Sequence, residues 1–269
     1  MIESNLAGFA IFLIVSLIVS WIAFSKGYYS LPYKDYRGPN ITLQDVFASF
    51  LIFLTSYFFL LPLIHFPIIA HIVTFVFAAL LFFIYGFFAN KINMKKVWKD
   101  RSFPGSKSIL RDLETGLIFW FLAIPVVTSV TYFAELLTSL IATPTNKEQV
   151  AVRFLKESLG NPLTSSVAFF SIIIAAPLFE EFLFRGILLS YLRTKLGVYS
   201  SIFLSALIFS LFHFSPSQSI ENISLLLTLF VFGSYLGFVY LKTRSLYASI
   251  LLHVTFNSIS VIRIIFTHV

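Results

Sequence analysis

Long stretches of this chain carry almost no charge, and that constrains its fold more than any single motif. Hydrophobic residues make up 58% of the 269 positions and charged residues only 12%, where soluble globular chains run at roughly half apolar and about a quarter charged. A mean hydropathy of +0.91 leaves too little polar surface to cover a water-soluble core, which excludes a soluble two-domain architecture. The apolar runs reach the roughly 20 residues that a helix needs to cross a bilayer. The sequence therefore predicts an all-α, polytopic transmembrane helix bundle.

Eight spans follow from the runs: Leu6 to Phe24, Val46 to Leu63, Pro67 to Ala89, Gly116 to Ala142, Ser165 to about Ser190, Tyr199 to Phe214, Ile223 to Leu241 and Tyr247 to Thr267. The second and third come from one continuous run, divided at Pro62 and Pro67 because prolines so close together end helices. No basic residue precedes the first span and no small-residue cleavage site follows it, so it is expected to stay as an anchor.

Lysines and arginines test this division. With alternating loops on alternating sides, fourteen of the 19 fall on one side, in the segments around Lys26 to Arg37, Lys91 to Arg111, Arg193 to Lys195 and Lys242 to Arg244. Only Lys147, Arg153 and Lys156 fall on the other, and Arg185 and Arg263 lie within spans. That asymmetry assigns the basic side to the cytosol and both termini to the opposite side. It also accounts for the net charge of +7 without nucleic acid as a partner. Cysteine is absent, which removes thiolate chemistry. The segment from Thr143 to Thr164, with Phe154, Leu155 and Leu159, reads as an interfacial helix. Residues 1–164 are expected to form an N-terminal membrane part and residues 165–269 a core that carries the ionisable residues described next, within one bundle.

The run Glu180-Glu181-Phe182-Leu183-Phe184-Arg185-Gly186 is the strongest departure from the apolar background. A charged group at the bilayer centre costs about 2.5–3.5 kcal/mol on insertion scales, so those retained there pair and carry function. In a regular helix Glu181 and Arg185 are i,i+4 neighbours, while Glu180 is turned about 100° away and free to meet another helix. A carboxylate so placed suits general-base catalysis on water. Phe209 and His213 are expected on one face of the sixth span, and His253 and Asn257 on one face of the eighth. Counted from the basic side, Glu180, His213 and Asn257 lie on the order of 24, 21 and 15 Å deep, with His253 nearer the surface.

These three strings, with Ser249 to Asn257 enclosing the last, resemble the ordered motifs EExxxR, FxxxH and HxxxN of the CPBP family of intramembrane glutamic endopeptidases, which includes CAAX prenyl protease 2 and bacteriocin-processing enzymes. The resemblance covers roughly Ser165 to Thr267, and every motif position is present. It implies Glu180 as the base that activates water, His213 as the residue that positions it, Glu181 held by Arg185, and His253 with Asn257 as oxyanion donors, with Phe209 in support. It implies a peptide or lipidated protein substrate, possible cleavage near the C-terminus of prenylated CAAX tails, a site opening toward the cytosol, and neither cofactor nor metal.

Two other readings stand beside it. Two glutamates and two histidines can ligate zinc, although the i,i+4 histidine pair of HExxH is missing. Buried charges can also serve a non-proteolytic immunity or transport protein. Ser210, Ser249, Ser258, Glu135, His65 and His71 are read as structural, and Gly233 with Gly237 as a helix-packing pair.

Overall fold

The computed structural model describes residues 2–31, 33–60, 67–88, 91–141 and 150–268. Pro62, His65 and Lys147 lie outside the described residues, as does the side chain of His71. Among the described residues the chain is helical throughout: α1 (Ile2–Ser25), α2 (Leu43–Leu60), α3 (Pro67–Phe88), α4 (Lys91–Trp98), α5 (Ile109–Ile141), α6 (Val150–Ser158), α7 (Pro162–Lys195), α8 (Val198–Leu211), α9 (Glu221–Thr243) and α10 (Leu246–His268). Five of these, α1, α5, α7, α9 and α10, are long and apolar enough to cross a membrane. The remaining three predicted spans hold shorter apolar helices, Leu43–Ser56, Ile72–Gly86 and Val198–Leu211. The all-α architecture is therefore observed, and among the described residues five of the eight expected spans qualify as membrane-crossing candidates by length and composition.

Two boundaries differ from expectation for local reasons. The basic segment after α3 is not a simple loop, because Lys91–Trp98 forms α4, whose Val97 is fully buried. Helix α5 begins seven residues early, at Ile109, where Ser108 accepts from the Arg111 amide in the manner of a helix cap. Within the segment from Thr143 to Thr164, Val150–Ser158 forms α6, and its Leu155 packs with Ala168 of α7 and Val261 of α10.

Helix α7 is the centre of the bundle. Asn161 caps its start by accepting from the amides of Leu163 and Thr164, with Pro162 in the first turn, where a missing N–H costs nothing. All nine residues Glu181–Leu189 are buried, with Glu181 and Arg185 paired to each other. Leu183 and Phe184 join Phe119 of α5, Phe209 of α8, Phe232 and Leu236 of α9, and Ala248 and Leu252 of α10 in one core. Close helix approach depends on small residues. A Cβ on Gly116 would sit 2.4 Å from the Ala248 carbonyl oxygen, and one on Gly186 would sit 2.5 Å from a Val97 methyl. Gly233 and Gly237 do pack against α8, as the sequence spacing predicts, at Phe209, Ala206 and Ile202.

At the basic end, cations staple the segment after α1 to the bundle. Lys242 donates to the Ser30 carbonyl, Arg193 to that of Lys34, and Arg244 to those of Tyr36 and Arg37. Burial and a hydrogen bond to Asp100 push the Tyr36 phenol above its ordinary pKa. Lys99 of the turn after α4 pairs with buried Asp112 of α5.

Candidate active site

The two adjacent glutamates occupy a helix that is not regular. Helix α7 widens into π-helical turns at Phe170–Ala175 and again at Glu181–Leu189, features that recur at functional sites. Glu180 is the last residue before the second wide stretch and Glu181 the first within it, so the pair straddles a change of helical pitch that spacing alone does not reveal.

Glu181 is fully buried and locked. Its Oε1 accepts from Arg185 Nη1 at 3.0 Å and from His253 Nδ1 at 2.9 Å. Arg185, also fully buried, donates through Nη2 to the Gly233 carbonyl at 3.2 Å and lies 4.3 Å from the centre of the Phe209 ring, a cation–π contact. Gly233 thus serves the site as well as the packing. A Cβ there would come 3.0 Å from Phe209 and 3.3 Å from Arg185 Nη2.

Glu180 behaves differently. Its side chain keeps 19% of its surface exposed, and its two oxygens face two histidines: Oε1 lies 3.8 Å from His213 Nε2 and Oε2 lies 3.8 Å from His253 Nε2. Both separations exceed a direct hydrogen bond and fall in the range that one intervening water spans.

The opposite nitrogen of each imidazole is already committed. His213 Nδ1 lies 2.9 Å from the Phe209 carbonyl, which can only accept, so Nδ1 carries the proton. His213 is also not on the face of a helix, as the sequence predicts, because α8 ends at Leu211. The His213 amide turns to the Ser210 carbonyl, and the ring takes over the Phe209 carbonyl left at the helix end. His253 Nδ1 donates to Glu181, and its ring stands edge-on to Phe232 at 5.2 Å. Each imidazole therefore presents Nε2 to Glu180, with orientation and tautomer set from behind.

Asn257, one turn beyond His253 on α10, reaches a different level of α7. Its Nδ2 donates to the Ile172 carbonyl at 2.9 Å. The first π stretch explains why that carbonyl is free. The Ala176 amide bonds to the Ser171 carbonyl, five residues back, and at the same spacing Ile172 would need a donor on residue 177. That residue is a proline, which has no N–H. Asn257 supplies the missing bond with one of its two amide hydrogens.

The structure thus brings together Glu180, Glu181, Arg185, Phe209, His213 and His253, and sets Asn257 one turn away. Pro177, Ile172, Phe232 and the Gly233 carbonyl complete the surroundings and carry no signal in the motif spacing, apart from the proline itself. Among the described residues no group of three His, Cys, Asp or Glu side chains is placed to hold a metal ion.

Residues 162–259 match the family model for Rce1-like type II CAAX prenyl endopeptidases. Over that stretch the chain is similar to this family. The match takes in a little over a third of the chain, includes all three motifs, and bears out the CPBP resemblance read from them. No curated protein and no solved structure matches the chain. The matched segment runs from the first turn of α7 into α10, so every residue of the cluster lies within it, while α1 to α6 precede it in the chain.

Proposed function

We propose that this chain is an intramembrane endopeptidase that hydrolyses a peptide bond with water activated by Glu180. The observation that carries the proposal is the division of labour between the paired carboxylates. Glu181 is buried and held by Arg185 and His253, whereas Glu180 is partly open and flanked by two Nε2 nitrogens at equal distance. One carboxylate is structural and the other is free to exchange a proton with water.

A water between Glu180 and His213 Nε2 has an acceptor for each of its hydrogens, which points an oxygen lone pair at the substrate carbonyl. As the oxygen attacks carbon, Glu180 takes the proton, and it returns that proton to the leaving amine when the tetrahedral intermediate collapses. His253, held at Nδ1 by Glu181, turns Nε2 toward the place where the oxyanion forms and serves as one of its donors. The second N–H of Asn257, oriented by the bond to Ile172, is the other donor. One such donor contributes about 2.7–4 kcal/mol to transition-state stabilisation.

The substrate class follows from the family described as type II CAAX prenyl endopeptidases: a peptide or protein whose prenylated cysteine rests among the helices, cut near its C-terminus on the basic, cytosolic side. The test is to incubate full-length protein in detergent with matched prenylated and unprenylated peptides, with and without a strong chelator, and to locate the cut by mass spectrometry. The proposal expects cleavage that prefers the prenylated peptide and survives the chelator. Cleavage abolished by the chelator and restored by zinc would favour the metal reading, and no cleavage of either peptide would favour a non-proteolytic membrane role.

A further inference from the structure

Helix α7 has a second face that the proposed reaction does not use. Against α3 and α4 it leaves a cavity of about 630 Å³, within the range of small-ligand sites, walled by Phe82 and Gly86 of α3, Trp98 of α4, and Phe179 and Phe182 of α7. The aromatic rings form a continuous floor, with Phe82 centred 5.1 Å from Phe182 and 6.0 Å from Phe179, and Trp98 centred 5.9 Å from Phe182. Neighbouring Phe83 and Val76 are largely exposed, so the cavity is a fissure open to the surroundings of the bundle. In a membrane those surroundings are acyl chains.

The fissure has one charged wall residue, Lys95, at the α4 end. Lys95 is exposed, and among the described residues neither it nor Lys96 has an acidic partner. Lys99, by contrast, is taken by Asp112. Helix α4 carries no acidic residue. The apolar slot is therefore flanked at its α4 end by uncompensated positive charge, with Trp98 in the same wall, the pairing of aromatic and basic residues that suits a lipid headgroup region.

We infer that this fissure binds one anionic phospholipid, its acyl chain along Phe82, Phe179 and Phe182 and its headgroup phosphate on Lys95. A zwitterionic lipid fits the slot but leaves Lys95 beside a headgroup with no net charge. The prenyl chain of a substrate is the less suitable occupant, because the Glu180 carboxylate faces the histidines beyond α8 and in α10 while the fissure lies against α3 and α4. The lipid stiffens the helix that carries both glutamates from the side opposite the reaction. The inference does not depend on the proposed proteolysis.

Full-length protein in mild detergent is titrated with dioleoylphosphatidylglycerol and, separately, with dioleoylphosphatidylcholine, and retained lipid is counted by native mass spectrometry. Wild type is expected to hold one phosphatidylglycerol about fivefold more tightly than phosphatidylcholine, the size of one lysine's attraction to an anionic headgroup. Lys95→Glu, at an exposed position, removes the preference. Ala79→Trp, which fills the fissure, removes the retained molecule, and Lys107→Glu, away from the fissure lining, keeps it. Equal retention of the two lipids by wild type, or an unchanged preference in both fissure variants, overturns the assignment. Stoichiometric displacement of the lipid by a farnesylated peptide overturns it too, since the slot would then belong to the substrate.

Discussion

His253 Nδ1 lies 2.9 Å from Glu181 Oε1, the same oxygen that Arg185 Nη1 approaches at 3.0 Å. One carboxylate oxygen thus orients an imidazole from α10 and neutralises a guanidinium within α7. The consequence is at the far nitrogen of the ring, where His253 Nε2 is turned toward Glu180. In the proposed reaction Glu181 would act through His253, as a positioning residue.

Arg185→Met is expected to destabilise the protein by about 3–5 kcal/mol, because it strands a fully buried carboxylate without its cation. The double variant Glu181→Gln with Arg185→Met loses less, since no unpaired charge remains. Thermal unfolding in detergent checks the order. A double variant no more stable than Arg185→Met would remove the ion pair as the cause.

Asn257→Ala leaves the Ile172 carbonyl without a donor and is expected to cost about 1–3 kcal/mol. Pro177→Ala placed in that background supplies the N–H that the π turn lacks, and part of the stability returns. Cleavage does not return, because the proposed oxyanion donor is still missing. Melting temperature and peptide cleavage measured on the same samples separate the two roles.

Two glycines of similar sequence appearance are expected to respond in opposite directions. At Gly116 an added Cβ meets a backbone oxygen at 2.4 Å, so alanine must push α5 away from α10, a loss near the upper end of the roughly 1–3 kcal/mol typical of overpacking. At Gly237 the nearest atoms are side-chain carbons at 3.5 Å, so alanine fits and its better helix propensity, up to about 1 kcal/mol, raises stability. Paired thermal melts of the two variants decide this.

Much of the architecture is legible in the sequence because lipid allows only self-satisfied backbones, which makes an apolar run of sufficient length a helix. The Glu181–Arg185 pair is legible too, since four residues bring side chains together on α and π turns alike. What spacing cannot supply is the departure from regularity. The π turns at Phe170–Ala175 and Glu181–Leu189 depend on tertiary packing, and so does the end of α8 at Leu211, which takes His213 off the helix and onto its C-terminal carbonyl. Pro177 is the one local signal for the bond between Asn257 and Ile172, and its meaning needs the neighbouring helix. Gly116 reads as the start of a span, and only the approach of Ala248 assigns it a packing role.

Glu180→Gln keeps the size and hydrogen-bonding capacity of the side chain while removing its basicity, so it tests the central claim most directly. Cleavage of the prenylated peptide by detergent-purified wild type and Glu180→Gln is measured at matched concentration, with melting temperatures to establish that both are folded. The account predicts an unchanged melting temperature and a loss of cleavage of at least about 100-fold, the lower range for a general base. Near-normal cleavage by folded Glu180→Gln would contradict it.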